Sequence, residues 1–317
     1  MLITDFNYPD VELERGILEG AGLELVEAQC RTEEDVIEAG QGVSALLTQY
    51  ARITARVFEA LPELRLVGRY GVGYDIVDVE AARERGVWVA NVPDYGTEEV
   101  AVHALSMVLA LLRHLPLYDR DVKAGRWHSA STGPLYRLKN LTLGVVGVGR
   151  IGGTLARRAS PWFGSTLGCD PYLEEDAWPE GVEPASLEEV FSESRVVSLH
   201  PPLTDETRGF IDRSLFERMP EGSYLVNTAR GGLVVMDDLL WAMDEGPLAG
   251  AALDVLPQEP PPPDHPLLSH PNVILTPHAA YYSLEAEEEV RAKAAQNVVA
   301  WVREGRPLYP VVEGRQD

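Results

Sequence analysis

The sequence has little cysteine, little lysine and no long uninterrupted hydrophobic run. Its 317 residues include only two cysteines, Cys30 and Cys169, which lie far apart in the chain. This number is too small for a disulfide scaffold or a cysteine-rich zinc site. Polar residues such as His103 interrupt the longest apolar stretch, residues 100–112, which falls short of the roughly 18 residues that span a bilayer. The sequence therefore predicts neither a disulfide-stapled nor a membrane-spanning protein.

Positive charge is also scarce, because 50 acidic residues face 27 basic ones and the formal charge is -23. Binding nucleic acid through phosphate contacts needs a surplus of Lys and Arg, so we expect no nucleic-acid partner. An anionic small substrate remains compatible, since a few arginines and backbone amides suffice to hold it. No basic region precedes an apolar run at Met1–Asp5, so we expect no secretory signal and a cytoplasmic location.

Short apolar runs alternate with helix-like stretches along the whole chain, which is typical of βαβ units and buried parallel sheets. Eleven segments are predicted as strands: Leu2–Thr4, Leu23–Val26, Ala45–Thr48, Leu66–Gly68, Val87–Ala90, Thr142–Gly147, Thr166–Cys169, Val196–His200, Tyr224–Thr228, Gly250–Leu253 and Val273–Thr276. Eleven strands exceed one comfortable open sheet. The fold class predicted is α/β, with two doubly wound parallel-sheet domains.

Two helix-start signals mark the predicted domain boundaries. Thr97 has the residue type of an N-cap, with Glu98 and Glu99 in the following turn, and Ser283 begins a similar pattern. We predict a discontinuous domain made of residues 1–96 and 283–317. The segment 97–282 is then inserted as a second domain.

A glycine pattern directly follows the strand at residues 142–147. Gly147, Gly149 and Gly152 form G-x-G-x-x-G, and a helical stretch over residues 154–159 comes next. In a dinucleotide-binding turn the first Gly permits the tight turn, the second lets the backbone approach a pyrophosphate, and the third lets helix pack on strand. This context favours a cofactor loop over a structural turn.

Asp170, at the end of the next predicted strand, is an acid at the spacing that holds a ribose diol. No Lys or Arg follows it until Arg195, so nothing obvious would hold a 2′-phosphate. The sequence predicts NAD rather than NADP.

Polar residues also follow three late strands. Arg230, then Asp254 with Glu259, and finally His278 come just beyond the strand ends, where doubly wound sheets place their ligands. A His, a carboxylate that orients it and an Arg are the groups needed to move a proton and a hydride on a 2-hydroxy or 2-keto acid. Each residue alone has a structural explanation, and the joint placement favours the catalytic one. No His pair has the spacing of a metal site, so no metal is predicted.

Taken together, these motifs resemble the D-isomer-specific 2-hydroxyacid dehydrogenase family over essentially the full chain. The segments that carry the resemblance are Gly68–Asp75, Gly147–Gly152, Val226–Gly232, Ala252–Val255 with Glu259-Pro260, and Thr276–Ala280. Residues 91–100 and 277–283 are most similar to the C-terminal-binding-protein-like and phosphoglycerate-dehydrogenase-like subgroup.

The resemblance implies a flavodoxin-like substrate domain and a Rossmann NAD-binding domain with a cleft between them, and a homodimer formed through the NAD-binding domain. It implies that Arg230, Glu259 and His278 are catalytic. The substrate carboxylate is then bound by the backbone of Val72 and Gly73. Cofactor contacts are implied at Thr97, Gly147, Gly149, Arg150, Ile151, Gly152, Asp170, Pro202, Thr207, Thr228 and Asp254, the last on the nicotinamide carboxamide.

Two further residues are predicted at the substrate. Arg69 adds a charge contact by analogy with the same subgroup, although a structural salt bridge is the alternative. Tyr281 stands where that subgroup often carries a pocket-lining Trp.

The function predicted is the NAD-dependent interconversion of a D-2-hydroxy acid and its 2-keto acid. Formate dehydrogenases of this family have Gln beside the catalytic His, so Glu259 indicates a substrate that exchanges a proton. Two alternatives stay open at this point: an NAD(H)-responsive dimeric corepressor-like binding protein with little turnover, or a dehydrogenase acting on phosphoglycerate or phosphite.

Overall fold

The computed structural model describes residues 1–315 and divides the chain into two compact units. The first unit contains Met1–Gly96 and residues 283–315, and the second is Thr97–Tyr282. These limits coincide with the predicted domain boundaries.

Thirteen strands and eleven α-helices lie within residues 1–315. The strands are β1 (Leu2–Ile3), β2 (Val26–Glu27), β3 (Ala45–Thr48), β4 (Leu66–Arg69), β5 (Trp88–Ala90), β6 (Thr142–Val146), β7 (Ser165–Cys169), β8 (Glu183–Pro184), β9 (Val196–Leu199), β10 (Ser223–Asn227), β11 (Leu248–Leu253), β12 (Val273–Leu275) and β13 (Pro310–Val312). The helices are α1 (Glu12–Glu19), α2 (Glu33–Ala39), α3 (Ala55–Ala60), α4 (Val79–Arg85), α5 (Thr97–Leu112), α6 (Leu115–Lys123), α7 (Arg150–Ala159), α8 (Leu187–Glu193), α9 (Arg213–Phe216), α10 (Met236–Asp244) and α11 (Leu284–Glu304).

The first unit contains a six-stranded sheet in the order β13-β5-β4-β3-β1-β2. Its first five strands pair in parallel in the 2-1-3-4-5 order of flavodoxin-like sheets, and β13 adds an antiparallel edge. The buried ion pair of Arg291 and Glu14 joins α11 to α1, with Arg291 Nε donating to Glu14 Oε1 at 2.9 Å. Helix α11, which comes late in the chain, is therefore fixed to α1, which comes near the beginning of the same unit.

The second unit contains a seven-stranded parallel sheet in the order β12-β11-β10-β9-β6-β7-β8. Side chains alternate between two cores along β10, where Tyr224 and Val226 face one side and Leu225 faces the other. This alternation follows from the two-residue period of a strand that is covered on both faces. The chain order reverses beside β6, so the loops after β6 and β9 meet at a topological switch point.

All eleven predicted strands are present, with ends that differ by a few residues. The prediction missed β8 and β13, which are only two and three residues long and contain Pro184 and Pro310. Thr97 is the first residue of α5 rather than its N-cap, whereas Ser283 caps α11 by accepting the Ala286 amide at 3.0 Å.

Within residues 1–315, no single helix is long and apolar enough to cross a membrane. Only α5 and α6 taken as a pair, bent by 57°, meet the length and composition of a span. Over the same residues, no group of three or more His, Cys, Asp or Glu side chains is arranged to hold a metal ion.

Candidate active site

The predicted catalytic residues follow strands that are neighbours in the second sheet. Arg230 comes after β10, Asp254 and Glu259 come after β11, and His278 comes after β12. Because β10, β11 and β12 are adjacent and parallel, their carboxyl ends lie at one edge of the sheet. Three loops separated in the sequence therefore reach the same place.

His278 and Glu259 form a direct pair. His278 Nδ1 lies 2.6 Å from Glu259 Oε2, and their side chains are 30% and 35% exposed. The other carboxylate oxygen, Oε1, accepts the Leu256 amide at 2.8 Å, which fixes the carboxylate in its own loop. The imidazole is therefore oriented through Nδ1, and Nε2 is the ring nitrogen left to meet a substrate.

The charge state of Glu259 follows from its neighbours. Partial burial by itself raises the pKa of this carboxyl, but the hydrogen bond and charge of His278 oppose it. The Leu256 amide and the positive charge of Arg230 act in the same direction as His278, and the net pKa is lowered. Glu259 is therefore an anion next to the imidazole at neutral pH.

Asp254 holds the turn that carries His278. The His278 amide donates to the Asp254 carbonyl at 2.8 Å, and the Ala279 and Ala280 amides donate to its carboxylate at 2.9 and 3.0 Å. His278 has a φ of +53°, in the left-handed region that side-chain-bearing residues rarely occupy. The buried Asp254 thus fixes a backbone conformation that the local sequence would not favour by itself.

Arg230 is held in place by its own loop. The buried Asn227 donates to the Arg230 carbonyl at 2.8 Å and accepts the Ala229 amide at 3.0 Å. A Cβ on Gly231 would lie 2.0 Å from the carbonyl carbon of Leu256, so the loops after β10 and β11 touch backbone to backbone. Only glycine at 231 permits this contact, and the contact keeps Arg230 beside the Glu259 loop.

The glycine turn after β6 has the shape that a dinucleotide needs. Gly147 has a φ of +81°, and a Cβ there would lie 2.7 Å from the Pro201 nitrogen. A Cβ on Gly152 would lie 1.9 Å from the Gly147 carbonyl oxygen, whereas one on Gly149 would meet nothing within 4 Å. The first and third glycines are therefore required by packing, and the second leaves the backbone open on the side where a pyrophosphate approaches a helix N-terminus.

Asp170 lies at the end of β7, directly beside this turn. Its Oδ2 accepts the Val148 amide at 2.9 Å and its Oδ1 accepts the Tyr172 amide at 3.0 Å. The carboxylate is thus fixed between the glycine turn and the following loop, at the edge where a ribose diol is expected.

The other predicted cofactor positions fall into three groups. Arg150 and Ile151 begin α7 and Thr97 begins α5. The buried Thr228 hydroxyl has no hydrogen-bond partner among the described residues, so it has an unmet bond to offer a ligand. Thr207 instead donates to the Pro202 carbonyl at 2.7 Å, so its side chain shapes the loop after β9. The open glycine turn, the fixed Asp170 and the orphaned Thr228 hydroxyl together fit a dinucleotide.

In the first unit, the predicted substrate segment follows β4. Asn91 Nδ2 donates to the Val72 carbonyl at 2.6 Å, which fixes the loop at Val72 and Gly73. A Cβ on Gly71 would lie 1.7 Å from Arg69 Nη1, so the guanidinium of Arg69 crosses over this glycine.

In the second unit, Tyr281 is half-buried and packs edge-to-face on Tyr282, with ring centroids 6.5 Å apart.

The family model of the D-isomer-specific 2-hydroxyacid dehydrogenase NAD-binding domain matches residues 105–280. The chain belongs to the D-isomer-specific 2-hydroxyacid dehydrogenase family. It is 44% identical over 255 residues to a glyoxylate reductase of Korarchaeum cryptofilum, covering 79% of this chain and 77% of that one.

Two further similarities agree with this membership. A D-3-phosphoglycerate dehydrogenase of Archaeoglobus fulgidus is 37% identical over 92% of this chain, which spans only 55% of the length of that relative. The crystal structure of a D-lactate dehydrogenase from Aquifex aeolicus, complexed with NAD and lactic acid, superimposes with a TM-score of 0.87 at 29% identity. This superposition covers 97% of this chain and 98% of that one.

As a member of the 2-hydroxyacid dehydrogenase family, the protein is an NAD-dependent oxidoreductase that interconverts 2-hydroxy and 2-keto acids. The predicted family, fold class, enzyme class and NAD cofactor are confirmed. The assignments of single residues stay predictions.

Sequence reasoning missed several residues that build this site. Asn227, Thr276 and the Leu256 amide each hold a loop that carries a predicted catalytic residue. His103 has no predicted role at the site, but its Nε2 lies 3.0 Å from Thr276 Oγ1. Asn227 and Thr276 were within reach of sequence reasoning, because both lie at or just after a strand end, whereas nothing near His103 points to a partner 173 positions away.

Proposed function

We propose that the protein reduces a short 2-keto acid with NADH and that His278, Glu259 and Arg230 are its catalytic residues. The observation that carries the proposal is the 2.6 Å pair of His278 and Glu259 beside the loop that holds Arg230. A histidine whose Nδ1 is bound to a carboxylate presents Nε2 as a proton donor or acceptor.

When bound, NADH would supply the hydride for the carbonyl carbon of the keto acid. His278, protonated, donates its Nε2 proton to the carbonyl oxygen, which becomes the hydroxyl of the product. The anionic Glu259 stabilises the imidazolium before the transfer and keeps its ring in the productive orientation. In the reverse direction the neutral imidazole accepts the hydroxyl proton.

Arg230 supplies the positive charge for the substrate. A guanidinium binds a carboxylate with two parallel hydrogen bonds and polarises a carbonyl oxygen on which negative charge develops. Asn227 and the backbone contact at Gly231 hold the Arg230 loop rigid. In the first unit, Val72, Gly73 and Arg69 remain the proposed carboxylate-binding segment.

A preference for NADH over NADPH is part of the proposal. Both oxygens of Asp170 accept backbone amides, so the carboxylate is fixed where it repels a 2′-phosphate. The experiment compares NADH and NADPH oxidation in the wild type and in Asp170→Asn. We expect the wild type to prefer NADH and the variant to lose much of that preference, and equal use of both cofactors by the wild type would contradict the assignment.

The substrate is tested with a panel of keto acids. NADH oxidation is followed with glyoxylate, hydroxypyruvate, pyruvate, phenylpyruvate and 3-phosphohydroxypyruvate, with His278→Ala as the blank and His128→Ala, an exposed loop histidine, as the matched control. Because the chain is similar to glyoxylate reductases, we expect glyoxylate or hydroxypyruvate to be reduced fastest. Turnover that survives in His278→Ala would overturn the proposed mechanism.

A phosphorylated substrate is the second candidate, because the D-3-phosphoglycerate dehydrogenase relative aligns over 92% of this chain. The phosphohydroxypyruvate arm of the panel decides between the two. A kcat/KM for that acid well above the value for glyoxylate would establish the second candidate in place of the first.

We also propose that the protein is a homodimer formed through its second unit. Four large apolar side chains in and after α6 are exposed there: Leu115 (57%), Val122 (45%), Trp127 (87%) and Tyr136 (48%). Exposed apolar side chains concentrated in one segment of the chain, residues 115–136, favour an interaction surface there. Sedimentation of the wild type and of Trp127→Ser tests this, and a monomeric wild type would overturn it. The cytoplasmic location stays a prediction.

A further inference from the structure

The group of hydrogen bonds around Asp254 includes a second histidine that the proposed mechanism does not use. His103 lies on α5 with its side chain 28% exposed. Its Nε2 is 3.0 Å from the Thr276 hydroxyl and 3.9 Å from Asp254 Oδ1. The histidine thus contacts the threonine directly and lies just beyond hydrogen-bond distance of the carboxylate.

The direction of these hydrogen bonds follows from the number of protons. Thr276 Oγ1 lies 2.5 Å from Asp254 Oδ1, and a threonine hydroxyl has a single proton to donate. The carboxylate also accepts the amides of Ala279 and Ala280, as an acceptor-only group does. The Thr276 proton therefore goes to Asp254, and the Thr276 oxygen accepts a proton from His103 Nε2.

This series of hydrogen bonds, from His103 through Thr276 to Asp254, ends at the turn that carries His278. Asp254 accepts from the two residues that directly follow His278, and its own carbonyl accepts the His278 amide at 2.8 Å. A non-glycine residue at a φ of +53° persists only where its surroundings hold it. Whatever orients the Asp254 carboxylate therefore also orients the turn.

We propose that His103 is a positioning residue for the reaction. Its Nε2–H orients the Thr276 hydroxyl, Thr276 orients the Asp254 carboxylate, and Asp254 holds the turn that places the His278 imidazole. The proposal rests on the proposed function, because it needs His278 to be the proton donor. His103 itself touches neither the transferred proton nor Glu259 in this scheme.

Two substitutions separate this role from simple packing. His103→Gln keeps an N–H donor near the position of Nε2, whereas His103→Leu fills similar space without a donor. We expect kcat for keto-acid reduction to fall on the order of tenfold in His103→Leu, because small displacements of a catalytic group are costly. His103→Gln should retain most of the wild-type kcat, and Ser106→Ala, on the same helix but outside this group, is the matched control.

Amide hydrogen exchange measures the stability of this turn directly and does not depend on activity. Hydrogen exchange at the Ala279 and Ala280 amides, measured without cofactor, should be faster in His103→Leu than in wild type and unchanged in His103→Gln. Equal losses in the two variants, or wild-type exchange and kcat in His103→Leu, would overturn the proposal. If His103→Leu does not fold, Thr276→Val and Thr276→Ser make the same comparison, because only serine keeps the hydroxyl.

The two proposals fail in distinguishable ways. Full activity of His278→Ala would remove the proposed function. An inactive His278→Ala together with an unperturbed His103→Leu would leave that function intact and remove the role of His103 alone.

Discussion

Two loops at the same edge of the second sheet each carry a histidine, and they give it opposite surroundings. His278, after β12, is 30% exposed and bound to the Glu259 carboxylate. His200, after β9, has a buried Nδ1 without a partner among the described residues, and its Nε2 lies 2.9 Å from Ser198 Oγ. Burial lowers the pKa of His200 to about 4, so this ring is neutral near pH 7.

Both histidines follow a strand, and they differ in their partner, which is a carboxylate for His278 and a hydroxyl for His200. A carboxylate at Nδ1 stabilises the protonated ring, and partial exposure lets a substrate reach Nε2. A hydroxyl partner carries no charge that stabilises a protonated ring, and a ring nitrogen bound to it is not free to meet a substrate. Four measurements can test this difference, from the largest expected effect to the smallest.

The largest contrast is expected in turnover. His278→Ala should lower kcat for keto-acid reduction by about 10²- to 10⁴-fold, the usual contribution of a general acid. His200→Gln, which keeps a nitrogen near Ser198, should change kcat by less than about tenfold, because the neutral buried ring transfers no proton. Steady-state kinetics measure both, and NADH titration should show nearly unchanged affinity in His278→Ala. Similar losses of kcat in the two variants would remove the distinction.

Glu259→Gln tests the carboxylate partner. Glutamine keeps the shape and a hydrogen bond but removes the negative charge that stabilises the protonated His278, so kcat for reduction should fall by about 10²-fold. Because the pKa of Glu259 is lowered, the wild-type protein should keep this negative charge until the pH falls below the ordinary pKa range of a glutamate. A wild-type kcat in the variant would show that Glu259 acts by shape alone.

His200 makes folding stability depend on pH. Its pKa is about 4 in the folded protein and about 6.5 when unfolded, so the unfolded chain binds the extra proton between these values. This contribution is fully present above about pH 6.5 and is lost as the pH falls towards 4, by at most about 3 kcal/mol. Denaturant unfolding at pH 7.5 and pH 5 measures it. The wild type should lose more stability than His200→Gln over this interval, and equal losses would contradict the buried neutral ring.

The smallest effect is expected at Ser198, which is completely buried. Ser198→Ala removes the partner of His200 Nε2 and leaves that nitrogen without a hydrogen bond. The free energy of unfolding should fall by about 1–2 kcal/mol, and kcat should change little. Thermal unfolding at pH 7.5 and a kinetic assay measure the two quantities. A large loss of kcat with unchanged stability would place Ser198 in the catalytic machinery instead.

Much of the fold could be predicted because its signals are local. The alternation of apolar runs indicated parallel sheets, and Ser283 marked a helix start through its residue type alone. The very short β8 and β13 were missed because two or three residues containing proline give no periodic pattern. Thr97 has the residue type of an N-cap, but α5 includes it as its first residue.

The residues of the candidate site also divide into those with a local sequence signal and those without one. Gly147, Gly149 and Gly152 could be found because they lie at a fixed spacing within six residues, and Gly152 needs to be glycine because of its contact with Gly147 itself. Gly231 had no such local explanation, since its need for glycine comes from the Leu256 backbone at the end of another strand. His103 and Thr276, 173 positions apart, share no local pattern that predicts their contact.

The sequence by itself determined the two-sheet α/β class, the dinucleotide turn and the chemical types of the groups after each strand. These features depend on side-chain periodicity and backbone freedom within a few residues. Only the tertiary structure decided which histidine meets a carboxylate, because that depends on which strands lie side by side. The parallel order β12-β11-β10 brings Glu259 to His278, whereas the loop after β9 leaves His200 beside a serine with its Nδ1 buried.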